Sequence, residues 1–195
     1  IKDSLSYLRM IAYKDDLSFL RVVNQPKRNI GERRIKFLKE YVEKNGGTLY
    51  QALKLSVGDE LFANTKAQDF IDLIDGFSGT YAGMQISELF SHVMNKSGYE
   101  LALRTEGSQE RLDNLAELKQ SIYEYETSCG EECTLENYLA HAALDLNGLT
   151  EEEFLEKLQE NFEITEKETA YSPVNKGEFG MYLKDKWYAL KFKHM

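Results

Sequence analysis

The sequence predicts a mainly α-helical fold: a helical domain with a helix-hairpin-helix-like turn, followed by a small helix plus β-hairpin tail. Three observations predict it. Only two prolines, Pro26 and Pro173, interrupt 195 residues, so long helices are favoured over strands and turns. Apolar residues recur every three or four positions in segment after segment as far as residue 146. Beyond residue 147 the pattern shifts to one helix and then to strand-like alternation.

The first helix runs from Ile1 to Tyr13, with Leu5, Leu8, Met10 and Ile11 along one side. Asp15 or Asp16 caps a second helix carrying Leu17, Leu20 and Val23. That helix stops at Asn24-Gln25-Pro26, because proline disfavours helix in the residue before it. A connector from Lys27 to Gly31 leads to a third helix, Glu32 to Lys44, with Ile35, Leu38 and Val42 inward and Gly46-Gly47 as its stop. Thr48 caps a helix through Leu49, Ala52 and Leu53. Further helices are expected over residues 65–78 (Phe70, Ile71, Ile74, Phe77) and 85–95 (Leu89, Val93, Met94), with a break at Ser97-Gly98. A long helix from Ser108 to Thr127 carries Leu112, Leu115, Leu118 and Ile122. After a loop around Cys129, Thr134 caps a helix with Leu135, Tyr138, Leu139 and Ala142. In the tail, Thr150 and Glu153 form a capping box. Phe162 to Thr165 alternates as a strand, and residues 179–191 read as a hairpin around Lys184-Asp185. Phe179, Trp187 and Phe192 are expected to bury an aromatic face against the last helix.

The length suffices for one good core, or one domain plus a small appendage. No apolar run approaches the roughly 18 residues of a membrane span, and no signal-peptide pattern opens the chain. A start inside an amphipathic pattern without an initiator Met reads as an excised piece. Two cysteines are too few for a disulfide framework, which fits a reducing cytoplasm.

The net charge of −9 argues against nucleic acid on its face, but it is unevenly spread. Between Pro26 and Lys39 there are six basic residues and one acid, Glu32, leaving −14 for the remainder. A local basic patch on an acidic body binds phosphate at one place only. The patch coincides with the connector between the second and third helices. A helix start presents backbone N–H groups and partial positive charge, which suits a phosphate. Gly31 leaves room for close backbone approach, Asn29 tolerates a left-handed conformation, and Ile30 plugs the turn into the core. Lys27, Arg28, Arg33 and Arg34 surround the site with charge. The bland alternative is an ordinary helical hairpin with a solvated basic face.

The wording of these segments goes further than their periodicity. "IKDSLSYLRMIAYKDDLSFLRVVNQPKRNIGERRIKFLKEYVEKNGGTLYQAL" resembles the start of the 2B domain of UvrD, Rep and PcrA helicases. Those proteins read "EIKDALAYLRLI", then "RVVNTPxRGIG", then a helix and "LxxAL". "RLDNLAELKQSIYEY" (111–125) is similar to their "RxENLEELxxxxxxF", and "LENYLAHAALDL" (135–146) to their "LxxFLxxxAL". The resemblance covers residues 1–146. It implies a helical domain inserted in the second motor domain of an ATP-dependent DNA helicase of unwinding, repair or replication restart. Such a domain swings as a rigid body and touches duplex DNA through the "GIG" turn. Here that turn is Asn29, Ile30 and Gly31, with Asn29 replacing the first glycine and Arg33 and Arg34 alongside. The implied DNA-binding set is therefore Lys27, Arg28, Asn29, Ile30, Gly31, Arg33 and Arg34, Ile30 being structural and the others phosphate-facing. Implied partners are the double-stranded DNA backbone and the motor domains, with no membrane and no small-molecule substrate.

No catalytic residue is assigned. The chain has no G-x-x-x-x-G-K-[ST] phosphate loop and no "LHSAKGLEF" segment, so no cofactor is expected in it. ATP and Mg would belong to the parent motor. Residues 147–195 resemble part of an uncharacterised bacterial protein family that reads "FGMYLDGKWYRL", with Lys184-Asp185 where Asp-Gly would stand. The tail is thus of different origin or a lineage-specific extension. Two other function classes stay open: a protein-interaction module with an acidic surface, and a fragment of an uncharacterised bacterial enzyme fused to helicase sequence. Cys129-Gly130-Glu131-Glu132-Cys133 lacks the second ligand pair of a zinc site, so it reads as a solvent-facing acidic loop.

Overall fold

A computed structural model describes residues 1–130, 133–145, 151–167, 178–183 and 186–193. The chain opens with α1 (Lys2–Ala12), α2 (Asp16–Val22), α3 (Glu32–Asn45), α4 (Leu49–Ser56) and α5 (Ala67–Ser78). It continues through α6 (Ile86–Lys96), α7 (Tyr99–Glu106), α8 (Gln109–Ser128), α9 (Leu135–Asp145) and α10 (Glu151–Gln159). Three strands, β1 (Phe162–Lys167), β2 (Glu178–Leu183) and β3 (Lys186–Phe192), form an antiparallel sheet in the order β1-β3-β2. The expected hairpin tip, Lys184-Asp185, and the capping Thr150 lie outside the described residues.

The caps explain where several helices begin. Asp15, not Asp16, caps α2: its carboxylate accepts the Ser18 N–H at 2.9 Å, the Ser18 hydroxyl at 3.0 Å and Arg9 Nε at 3.1 Å. Thr48 and Gln51 form a reciprocal capping box on α4. Glu126 of α8 reaches across to α6, accepting the Ser87 N–H at 2.9 Å and its hydroxyl at 2.6 Å. At Ser97-Gly98 the chain bends and starts again as α7, Gly98 adopting φ +75° as its N-cap. The expected break is there, but a further helix follows it at once.

One core unites α1 to α9. Tyr7, Leu8, Met10 and Ile11 of α1 are buried at its centre, against Phe19 of α2, Leu38 of α3, Tyr50 and Leu53 of α4, and Phe70 and Ile74 of α5. Leu89, Phe90 and Val93 of α6, Ile122 of α8 and Tyr138 and Leu139 of α9 complete it. In α2 the buried apolar set is Phe19, Val22 and Val23, whereas Leu17 and Leu20 are half-buried. The stripe expected there is only partly right, because α2 is covered on more than one side and its apolar residues do not fall on one face. Leu17 instead joins a second cluster with Met181, Tyr188 and Leu190 of the sheet, Ala143 of α9, and Leu155 and Leu158 of α10. The inward residues of the sheet are thus Met181, Tyr188 and Leu190, while Trp187 is half-exposed. The alternation of β3 puts Trp187 on the face opposite Tyr188 and Leu190. The Phe179 and Phe192 side chains lie outside the described residues.

The cysteine loop also departs from expectation. Cys129 and Cys133 are joined as a disulfide. Among the described residues no helix is long and apolar enough to cross a membrane, and no group of three or more His, Cys, Asp or Glu side chains is placed to hold a metal ion.

Candidate nucleic-acid interface

The turn between α2 and α3 is built around Asn24. Its side-chain oxygen accepts the backbone N–H groups of Arg28 at 2.8 Å and Ile30 at 3.1 Å, folding residues 24–30 back on themselves. Asn29 then takes φ +64°, the left-handed region that asparagine enters more readily than most residues. Its Nδ2 donates to the Asn64 carbonyl at 2.8 Å, and the Lys66 N–H donates to the Arg28 carbonyl at 3.0 Å. The turn is therefore tied to the loop before α5. Ile30 is buried in the core, as expected of a plug. Gly31 is the N-cap of α3 with extended backbone, and a Cβ built on it meets nothing within 4 Å. That glycine answers no crowding inside the domain; it leaves the approach to the helix start open.

Arg28 requires a correction. The sequence pattern turns it toward phosphate, but it is buried, 5% exposed. Its Nη1 donates to the carbonyls of Val22 (3.0 Å), Val23 (3.3 Å), Gln25 (3.2 Å) and Pro26 (3.4 Å). Its Nη2 donates to the Tyr7 hydroxyl at 2.7 Å and the Ser97 carbonyl at 3.2 Å. The guanidinium also sits 5.0 Å from the centroid of the Phe70 ring. Val22 and Val23 close α2, and Ser97 closes α6, so two helix C-termini turn their negative ends toward this cation. Its charge is neutralised inside the domain, holding the turn on α1, α2, α5 and α6.

The other candidates divide by exposure. Lys27, Asn29, Gly31 and Arg33 are exposed. Arg34 is half-buried and fixed by one nitrogen, its Nε donating to the Leu61 carbonyl at 2.7 Å. Among the described residues no side chain caps α3, as is also true of α1 and α8, whereas side chains cap the starts of α2 and α4 and Glu126 serves that of α6. The site is an uncapped helix start on a braced turn, with the exposed Lys27 and Arg33 on either side of it in sequence and the acid Glu32 in its first turn.

Sequence reasoning missed two lysines. Lys66 precedes α5 and sits beside the turn through its own N–H, and Lys96 ends α6. Both line, with Lys27, Pro26, Leu73 and Leu101, an open groove of about 850 Å³ next to the hairpin. Each lysine lies far along the chain from Lys27, so no local spacing could have joined them.

The helical part of the chain is similar in sequence to DNA helicases. It is 35% identical over 155 residues to DNA helicase II of Escherichia coli (strain K12), covering 74% of this chain and 21% of that protein. It is 32% identical over 151 residues to the ATP-dependent DNA helicase PcrA of Staphylococcus aureus (strain Mu50), again 74% of this chain and 21% of the relative. The chain belongs to the UvrD-like helicase C-terminal domain family, whose model matches residues 1–164. It spans about a fifth of the length of these relatives. Residues 142–195 also match the family described as Protein of unknown function (DUF1015).

Proposed function

We propose that this chain holds the 2B-type accessory domain of a UvrD/PcrA-like helicase, and that it grips the backbone of duplex DNA without catalysing a reaction. The observation that carries the reading is the start of α3: an exposed, uncapped helix terminus reached through Gly31, with the exposed Lys27 and Arg33 close to it in sequence. Such a terminus offers backbone N–H donors and partial positive charge to one phosphate, and the two cations favour its neighbours. Contacts of this type position DNA and carry no base preference. The domain is read as residues 1–146, with 147–195 a tail of different origin or a lineage-specific extension. ATP and Mg act in the motor domains, its partner in unwinding, repair or replication restart.

Titration of duplex DNA at several salt concentrations tests this. Affinity in the non-specific range, about 10⁻⁴ to 10⁻⁶ M, should fall steeply with salt. Binding that does not change with ionic strength, or that survives Lys27→Ala with Arg33→Ala undiminished, rejects the site.

A further inference from the structure

The elbow between α8 and α9 carries a feature that DNA binding does not use. Cys129 is the C-cap of α8, and Cys133 directly precedes Thr134, whose hydroxyl accepts the Asn137 N–H at 3.1 Å and starts α9. The two cysteines are bonded, with Cα atoms 5.2 Å apart. Both sulfurs also lie within reach of one acceptor, the Glu126 carbonyl, at 3.6 Å for Cys129 and 3.9 Å for Cys133. A pair of free thiols would find a hydrogen-bond acceptor already in place, so the site accommodates either redox state. Closing a loop across a sequence separation of only four removes less chain entropy than a long-range disulfide would, so the bond locks the oxidised form less strongly. Both residues are half-buried, which leaves them open to a small thiol reagent.

We infer that Cys129 and Cys133 form a reversible thiol–disulfide clip that sets how firmly α9 is fastened to α8. In its closing, one cysteine thiolate attacks a low-molecular-weight disulfide of the glutathione class and expels one thiol. The second cysteine then attacks the mixed disulfide and expels the other. The protein loses two electrons and two protons, and the reagent disulfide becomes two thiols. The mechanical consequence follows from what each helix holds. Glu126, one turn before Cys129, grips the start of α6 through Ser87, while α9 sends Leu135, Tyr138 and Leu139 into the core. Tyr125 of α8 already packs on Tyr138 and stacks on His141, with centroids 5.3 Å apart in each case. With the clip open, α9 keeps these rings, its core residues and the hydrogen bond that Glu136 accepts from the Tyr81 hydroxyl; with it closed, a covalent link is added at the elbow.

The test uses the full chain equilibrated across reduced-to-oxidised glutathione ratios, acid-quenched, alkylated and weighed. The two thiols should vanish together with the loss of two hydrogens, and α9 amides should exchange about tenfold more slowly in the oxidised form. Cys129→Ser and Cys133→Ser should each abolish that slowing. A pair that stays reduced in oxidised glutathione alone, a stable glutathione adduct on a single cysteine, or α9 exchange identical in the two states overturns the inference.

Discussion

Arg28, in the turn between α2 and α3, donates a hydrogen bond of 2.7 Å to the hydroxyl of Tyr7, a fully buried residue of α1. The contact makes the cationic turn part of the core. Arg28→Ala should therefore act on stability. It strips donors from the Val22, Val23 and Ser97 carbonyls and opens a void beside Phe70, costing at least about 3 kcal/mol. Arg28→Lys should rescue little, since a compact ammonium cannot span acceptors that the planar guanidinium reaches on two sides. Chemical denaturation of both variants checks this; a midpoint equal to that of the parent in either rejects the bracing role.

The exposed cations should behave in the opposite way. Lys27→Ala and Arg33→Ala should leave stability unchanged within about 0.5 kcal/mol, because neither side chain is buried. Each should weaken duplex binding for all sequences alike and lower the salt slope by about one for every phosphate no longer neutralised. Fluorescence anisotropy with two duplexes of unrelated sequence reads both quantities. Weakening confined to one duplex contradicts a backbone contact.

Much of this was legible in the chain. Helical spacing located the buried faces of α5, α6 and α8, since a face covered on one side leaves a 3.6-residue signature, but found only part of α1, where Ser4, Ser6 and Tyr7 are buried as well as the expected Leu5, Leu8, Met10 and Ile11. It misled at α2, where the tail adds a second covered side through Leu17. The turn was legible because its parts are consecutive: the left-handed Asn29, the plug at Ile30 and the open Gly31. The fate of Arg28 was not, because its acceptors come from Tyr7 and Ser97 as well as from the turn, and composition assigns every arginine in a basic run to the surface. Lys66 escaped for the same reason: its place is set by a backbone hydrogen bond to residue 28.

Asn29 gives a conformational test of the turn. A non-glycine residue at φ +64° bears a steric cost of about 1–2 kcal/mol, which asparagine lessens and glycine avoids. Asn29→Ala should destabilise by about 1 kcal/mol, with removal of the bond to the Asn64 carbonyl adding to the strain. Asn29→Gly should be close to neutral, and DNA affinity should follow the same order, since the turn aims α3. Equal stability of the Ala and Gly variants removes the left-handed backbone from the account.

Asp16 sets a dependence on pH. Its Oδ1 accepts the Leu49 N–H at 2.8 Å, linking α2 to the start of α4, while Oδ2 makes no close hydrogen bond among the described residues, although the Gly180 amide of β2 is near enough to act on the carboxyl. Burial pushes its pKa from 3.8 up to about 7, the Leu49 and Gly180 amides opposing the rise and the neighbouring Asp15 charge adding to it. Between these two values the folded chain holds a proton that the unfolded chain has released. Stability from this group is therefore fully present below about 4 and declines as pH rises through about 7, by a few kcal/mol in all. Asp16→Asn should keep an acceptor for Leu49 without a buried charge, flattening that decline and leaving the variant the more stable of the two at about pH 8. Urea midpoints of both proteins from about pH 4 to about pH 9 decide the matter. Curves that stay parallel across the whole interval show that Asp16 ionises as readily in the folded chain as in the unfolded one.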